Sequence, residues 1–96
     1  PAYFFLFMES MQNKAIEMGF SKEQARLLVL QSALGSAEMV KQNADIEIST
    51  LRENVTSKGG TTAQALNTFN ELSLSDTASK AMQAAADRGA EMEKLF

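Results

Sequence analysis

The sequence has no cysteine, no histidine and no tryptophan, and it has a single proline. Without cysteine, disulfides and thiolate chemistry are excluded, and without histidine the commonest general base and nearly all zinc sites are missing. The lack of cysteine also fits a cytoplasmic protein. The sequence therefore predicts no metal site and no catalysis by a cysteine or histidine side chain.

Positive charge is also scarce. Nine basic residues face twelve acidic ones, which gives a net charge of −3, and the basic residues are scattered along the chain. Nucleic-acid binding is not expected without a basic stripe that contains aromatic residues. The apolar start, Pro1–Met8, has no basic leader and is far shorter than the roughly 20 apolar residues that span a bilayer. A membrane partner is not expected, and a start at proline indicates a fragment or a processed product.

Hydrophobic residues are abundant: they make up 45% of the 96 residues. Apolar positions recur at helical spacing and never in the strict alternation of a half-buried strand. The prediction is one small all-α domain, 1–96, with about five helices. A chain of this size has barely enough residues for its own core and often gains stability by forming oligomers.

The first two helices carry apolar residues on more than one side. The first begins at Pro1, is apolar all round and ends at Gly19, so part of its surface is expected to contact a partner chain. The second is predicted from Lys22 to Gln42, with a capping box formed by Ser21 and Gln24.

Three more helices follow along the chain. A short one is predicted around residues 48–55, a fourth from Thr61 to about Glu71, and a last one opened by a capping box of Ser73 and Asp76. A stripe of small and methionine residues on the last helix is predicted to be buried in close helix packing: Ala78, Ala81, Met82, Ala85, Gly89 and Met92.

The segment from Val55 to Thr62 is small, polar and contains two adjacent glycines. Gly59 and Gly60 allow a sharp turn and a close approach of the backbone to a ligand. The helix that follows offers unpaired N–H groups and a positive dipole end, which suit a carboxylate or a phosphate. The alternative is a plain connector in which Thr61 is an ordinary N-cap. The segment is not a P-loop, because the lysine precedes the glycines.

These segments together resemble a known family. Pro1–Phe4, Ala33–Ala37 followed by Met39, and above all Val55–Thr62 are similar to the C-terminal domain of pyrroline-5-carboxylate reductase, in order and over essentially the whole chain. Lys58 stands where the family usually has proline. The Ser-Gly-rich segment that precedes this region in the family and the N-terminal nucleotide-binding domain have no counterpart in this sequence.

The resemblance implies an interlocked helical-bundle homodimer that could assemble further, and residues 1–96 as its dimerisation and substrate-binding domain. The family reduces a cyclic imino acid to proline with NADP or NAD, held by the N-terminal domain, so this chain is not expected to turn over alone. By position, the resemblance assigns Ser57, Gly59, Gly60 and Thr61 to the substrate carboxylate. It assigns Thr62 to both substrate binding and catalysis, with its hydroxyl against the ring nitrogen. Lys58 either adds attraction for the carboxylate or is simply solvated.

A second hypothesis belongs to another class of protein. The chain would be a free-standing helical dimer or a partner-binding module without a catalytic role, and the glycine loop would only connect two helices. Replacing both glycines by alanine separates the hypotheses, because only the first predicts a loss of activity while the dimer persists.

Overall fold

The structure is a computed structural model that describes residues 1–95, and every regular element in this range is an α-helix. The five helices are α1 (Ala2–Glu17), α2 (Lys22–Gln42), α3 (Ile48–Asn54), α4 (Thr61–Glu71) and α5 (Leu74–Leu95). The predicted all-α class with about five helices is confirmed.

Gly19 terminates the first helix, as the sequence predicted. Gly19 has φ +115°, its N–H donates to the Ile16 carbonyl at 3.0 Å, and the Phe20 N–H donates to the Ala15 carbonyl at 3.2 Å. This pair of bonds is a Schellman motif, which satisfies the last carbonyls of α1. The glycine is needed because the position lies in the left-handed region.

The start of α2 is fixed by reciprocal side-chain hydrogen bonds. The Gln24 N–H donates to the Ser21 hydroxyl oxygen at 3.1 Å, and the Ser21 N–H donates to Gln24 Oε1 at 3.0 Å. The predicted capping box is therefore present, and α2 has the predicted bounds, Lys22–Gln42. Such a cap contributes about 1 kcal/mol to helix stability.

The start of α5 differs from the prediction. Ser73 has φ +61°, whereas an N-cap residue is normally extended, and its N–H donates to the Asn70 carbonyl at 3.1 Å. Asp76 pairs instead with Lys80 at 3.0 Å. The predicted capping box is wrong because the chain passes from α4 to α5 through a tight left-handed turn at Ser73, which takes that residue out of cap geometry.

The chain forms two compact units, and each is described by itself. In the first, Pro1–Leu51, α1 packs against α2. The buried hydrophobic residues within residues 1–95 are Ala25 and Val29, both on α2. In the second unit, which begins at Arg52, α4 packs against α5.

The stripe of α5 that was predicted to be buried is exposed in the single chain. The reason is geometric: α4, the neighbour of α5 in this unit, has 11 residues and α5 has 22, so much of α5 has nothing to pack against. The prediction of burial is wrong for the chain as the structure describes it.

Apolar side chains are exposed on all five helices. Phe4 on α1 is 75% exposed and Leu72, next to α4, is 76% exposed. Across the described residues, none of the helices is both long and apolar enough to cross a membrane.

Candidate functional site

The loop between α3 and α4 begins with a tightly closed helix end. The Val55 and Thr56 N–H groups donate to the carbonyls of Arg52 and Glu53 at 3.3 and 3.1 Å. The Thr56 hydroxyl donates to the Arg52 carbonyl at 2.6 Å. These bonds satisfy the last carbonyls of α3. They also fix the point from which the next four residues turn.

Those four residues, Ser57 to Gly60, form a β-turn. The Gly60 N–H donates to the Ser57 carbonyl at 3.0 Å, and Gly59, the third residue of the turn, has φ +73°. A positive φ at the third position is the requirement of a type II turn, which glycine meets without strain. Lys58 occupies the second position, at the outer corner.

Gly60 is restricted by space rather than by its backbone angle. Its φ is −85° and its ψ is −176°, an extended conformation open to any residue. A Cβ at this position, however, would lie 3.2 Å from the Ser57 carbonyl oxygen and 3.3 Å from the Ser57 Cβ. The two glycines are therefore required for different reasons, one for its angle and one for its lack of a side chain.

The N-terminus of α4 is not capped by a side chain. Gly60 is the N-cap, and the first helical hydrogen bond runs from the Gln64 N–H to the Gly60 carbonyl at 3.1 Å. The alternative in which Thr61 is the N-cap is wrong, because Thr61 is already the first helical residue. The N–H groups of Thr61, Thr62 and Ala63 have no acceptor among the described residues. They point along the helix axis where the dipole is positive.

The structure brings all the sequence-predicted site residues into one short segment. Ser57, Thr61 and Thr62 are exposed, and their hydroxyls have no hydrogen-bond partner in the part of the chain that the structure describes. An anion placed at the start of α4 would meet backbone N–H donors first, with hydroxyl donors beside them. The arrangement can bind and orient a small acid. Among residues 1–95 no group of three acidic side chains could hold a metal ion.

Sequence reasoning missed an open groove between α1 and α2 in the first unit. Its apolar lining includes Phe5, Leu6 and Leu30, and Arg26 and Glu9 also line it. The groove has a volume of about 710 Å³. The apolar pattern around α1 indicated unsatisfied surface, but a groove depends on the crossing of two helices, which periodicity does not give.

Helices that leave their apolar faces uncovered define an all-α association domain. Its candidate site is the glycine turn that leads into the open N-terminus of α4. Residues 1–92 match the family described as pyrroline-5-carboxylate reductase dimerisation. The chain belongs to this family, and it is the dimerisation domain that is matched to the C-terminal part of the full-length reductases.

Pyrroline-5-carboxylate reductases of several bacteria are similar in sequence to this chain over nearly all of its length. A pyrroline-5-carboxylate reductase of Vibrio alginolyticus is 71% identical over 96 residues, which are 100% of this chain and 35% of the relative. One of Pseudomonas aeruginosa is 40% identical over 92 residues, 96% of this chain and 33% of the relative. The chain thus spans about a third of the length of the curated relatives it matches.

Solved structures agree with the fold. A Plasmodium falciparum pyrroline carboxylate reductase with NADP bound superimposes with a TM-score of 0.88 at 39% identity, over 92% of this chain and 34% of that one. A Coxiella burnetii pyrroline-5-carboxylate reductase gives a TM-score of 0.89 at 42% identity, over 95% of this chain and 33% of that one. The resemblance inferred from the sequence is confirmed.

Proposed function

We propose that this chain is the dimerisation and substrate-binding part of an enzyme that reduces 1-pyrroline-5-carboxylate to L-proline with NADPH or NADH, the last step of proline biosynthesis. The observation that carries the proposal is the family match over residues 1–92, which includes the whole glycine loop. The proposal places the enzyme in the cytoplasm, which agrees with a sequence without cysteine. It is favoured over a free-standing helical module because every relative described above is a reductase.

The first role in this proposal is to form a homodimer, on which larger assemblies could be built. Large apolar side chains lie exposed on α1, among them Phe4 at 75%, Phe5 at 66% and Leu6 at 65%. Exposed apolar patches mark interaction surfaces, and permanent interfaces are the more hydrophobic ones, resembling a domain core cut in half. The exposed apolar helix faces therefore support an obligate association.

The second role is to hold the substrate carboxylate. We assign it to the turn and the start of α4. The free N–H groups from Thr61 onward donate to the carboxylate oxygens, and the Ser57 hydroxyl adds a donor. Gly60 lets the ligand approach because it has no side chain, and Gly59 allows the positive φ that the turn requires. Charge-assisted hydrogen bonds of this kind are roughly twice as strong as neutral ones. Fixing the carboxylate also fixes the ring, and correct placement supplies a large share of a barrier reduction.

Thr62 has the catalytic role in this proposal. Its hydroxyl, one residue into α4 from Thr61, lies against the ring nitrogen, whose protonation makes the imine carbon a better hydride acceptor. An alcohol is a weak acid, so the hydroxyl orients the protonated nitrogen or relays a proton from water rather than acting as the ultimate proton source.

The dinucleotide is not assigned to these residues. Its usual site needs a strand, a glycine-rich turn and a helix, and residues 1–95 contain no strand. The helices of this chain therefore do not fit the cofactor, which the proposal assigns to the N-terminal domain of the full-length reductase. The isolated chain is expected to show no NADPH-dependent formation of proline.

Two glycine substitutions in the full-length reductase test this proposal. Gly59→Ala and Gly19→Ala place a side chain at comparably strained positive φ values, +73° and +115°, each with open space around the new Cβ. Both should lower thermal stability, by about 1 kcal/mol. Gly59→Ala should also reduce kcat/KM for 1-pyrroline-5-carboxylate at least tenfold with the dimer intact, and Gly19→Ala should leave kcat/KM near wild type. Equal kcat/KM in the two variants would mean that the loop is only a connector.

A further inference from the structure

We propose that Lys58 is a specificity-determining residue, whose positive charge at the corner of the turn draws the carboxylate of the substrate to the start of α4 and discriminates against imines without that group. The inference rests on the proposed function, because it deepens the role of the same loop.

The turn fixes where Lys58 stands. It is the second residue of the turn that the hydrogen bond from Gly60 to Ser57 closes, and it lies directly before Gly59. Its side chain is exposed, and within residues 1–95 its ammonium group has no acidic partner. Three of the nine basic residues, Lys14, Lys80 and Arg88, pair with an acidic residue on their own helix. Among the described residues, Lys58 is one of the six that do not, and it is the one of these that lies in the turn before α4.

The distribution of charged residues along the sequence also supports a role for Lys58 in binding an anion. Between Glu53 and Glu71 the sequence has 17 residues, 54–70, and Lys58 is the one charged residue among them. The chain as a whole carries a net charge of −3. Lys58 therefore supplies the charge of this segment, and its sign is that of the positive end of the α4 dipole. The net negative charge of the chain, by contrast, repels anions.

The effect of an exposed charge of this kind is moderate and depends on salt. In water a unit charge about 4 Å from a carboxylate changes its binding roughly fivefold. The Debye length is about 8 Å at physiological ionic strength and about 3 Å in 1 M salt, so the contribution should fade as salt is added. A role in shaping the loop would not fade in this way.

The type II turn also shows which substitutions isolate the charge. Its second position accepts most residues and favours proline. Lys58→Gln removes the charge and keeps most of the stem, Lys58→Arg keeps the charge, and Lys58→Pro removes the charge while making the turn more rigid. If Lys58→Gln does not fold, Lys58→Pro measures the same loss of charge.

The experiment measures kcat and KM of the full-length reductase for 1-pyrroline-5-carboxylate at low and at 1 M salt, and compares it with 1-pyrroline, the same ring without a carboxylate. At low salt Lys58→Gln should raise KM for 1-pyrroline-5-carboxylate about fivefold, with kcat, KM for NADPH and 1-pyrroline reduction unchanged. The difference should vanish at 1 M salt, and Lys58→Arg should behave as wild type. Lys41→Gln, on α2, is the charge-matched control and should change none of these values.

Each result is decisive. If Lys58→Gln matches wild type in KM and in salt dependence, the inference is wrong while the proposed function stands. A KM increase that persists at 1 M salt, or that appears equally with 1-pyrroline, also overturns the inference, because the residue would then act through the shape of the loop. If the wild-type reductase does not reduce 1-pyrroline-5-carboxylate, the proposed function itself fails.

Discussion

The N–H of Gly60 donates a 3.0 Å hydrogen bond to the carbonyl oxygen of Ser57. The same oxygen would lie 3.2 Å from a Cβ placed on Gly60. The bond that closes the turn therefore leaves too little room for a Cβ at the N-cap of α4 unless the turn shifts by a few tenths of an ångström. This relationship couples two properties of the loop: the shape of the turn and the access of a ligand to the first N–H groups of the helix.

Gly60→Ala should disturb the loop without backbone strain, because the φ of −85° suits alanine. The new methyl group meets backbone as well as the Ser57 Cβ, so the turn must open by a few tenths of an ångström. We expect kcat/KM of the full-length reductase for 1-pyrroline-5-carboxylate to fall about tenfold or more, since misplacement of a bound substrate is costly. Gln64→Ala, one turn along α4, should leave steady-state kinetics unchanged. Wild-type kinetics for Gly60→Ala would contradict the assigned role of the loop.

Thr62→Ala in the full-length reductase should lower turnover or affinity for 1-pyrroline-5-carboxylate by roughly 10- to 100-fold, because it removes a hydroxyl that orients or relays a proton. Thr62→Ser keeps the hydroxyl and should retain most of the activity. NADPH binding, measured by fluorescence titration, should be nearly unchanged in both variants. If Thr62→Ala weakens NADPH binding as much as substrate turnover, the role assigned to this residue is wrong.

Ser73→Gly should stabilise the protein. Ser73 is the non-glycine residue with a positive φ within residues 1–95, at +61°, a conformation that costs a side-chain-bearing residue about 1 kcal/mol. Ser75 lies two residues later, inside α5, where glycine costs up to about 1 kcal/mol relative to alanine. In thermal melts at one fixed protein concentration, Ser73→Gly should raise the melting temperature and Ser75→Gly should lower it. A lower melting temperature for Ser73→Gly would mean that the turn is not strained.

Phe4→Asp distinguishes a self-contained chain from one that needs a partner. Phe4 is 75% exposed, and the first turn of α1 has no acidic residue, so in a monomer the change would stabilise the helix by about 0.3 to 1 kcal/mol. In a dimer that covers this face, the change places a charge against apolar surface and should weaken association more than tenfold.

Size-exclusion chromatography of Phe4→Asp over a dilution series measures that weakening. Ser10→Asp, on the same helix, replaces a residue that is exposed and already polar, and should change association little. An unchanged elution volume together with a higher melting temperature for Phe4→Asp would indicate that the first turn of α1 is not part of the interface.

Local signals in the sequence located the helices well. Ser21 and Gln24 set the start of α2, and Gly19 set the end of α1, because both depend on chemistry within a few residues. The same reasoning failed at Ser73. There the spacing of a capping box is present, but the short passage from α4 to α5 requires a left-handed residue, and that requirement comes from the two helices together.

The site was predicted as a segment but not in its geometry. Gly59 and Gly60 indicated a turn, yet the N-cap role of Gly60 and the corner position of Lys58 depend on which pair of residues closes the hydrogen bond. Burial was the least predictable property. Met82 and Gly89 have the spacing of a buried stripe, and they are exposed here because sequence periodicity does not say which chain covers a helix.

The central claim is that these helices expose more apolar surface than one copy can cover. Sedimentation equilibrium of the isolated 96-residue chain at micromolar concentration tests it most directly. The account predicts a species of twice the chain mass of 10.5 kDa, with unfolding that shifts to higher temperature as concentration rises. A folded species of 10.5 kDa, with a melting temperature independent of concentration, would contradict it.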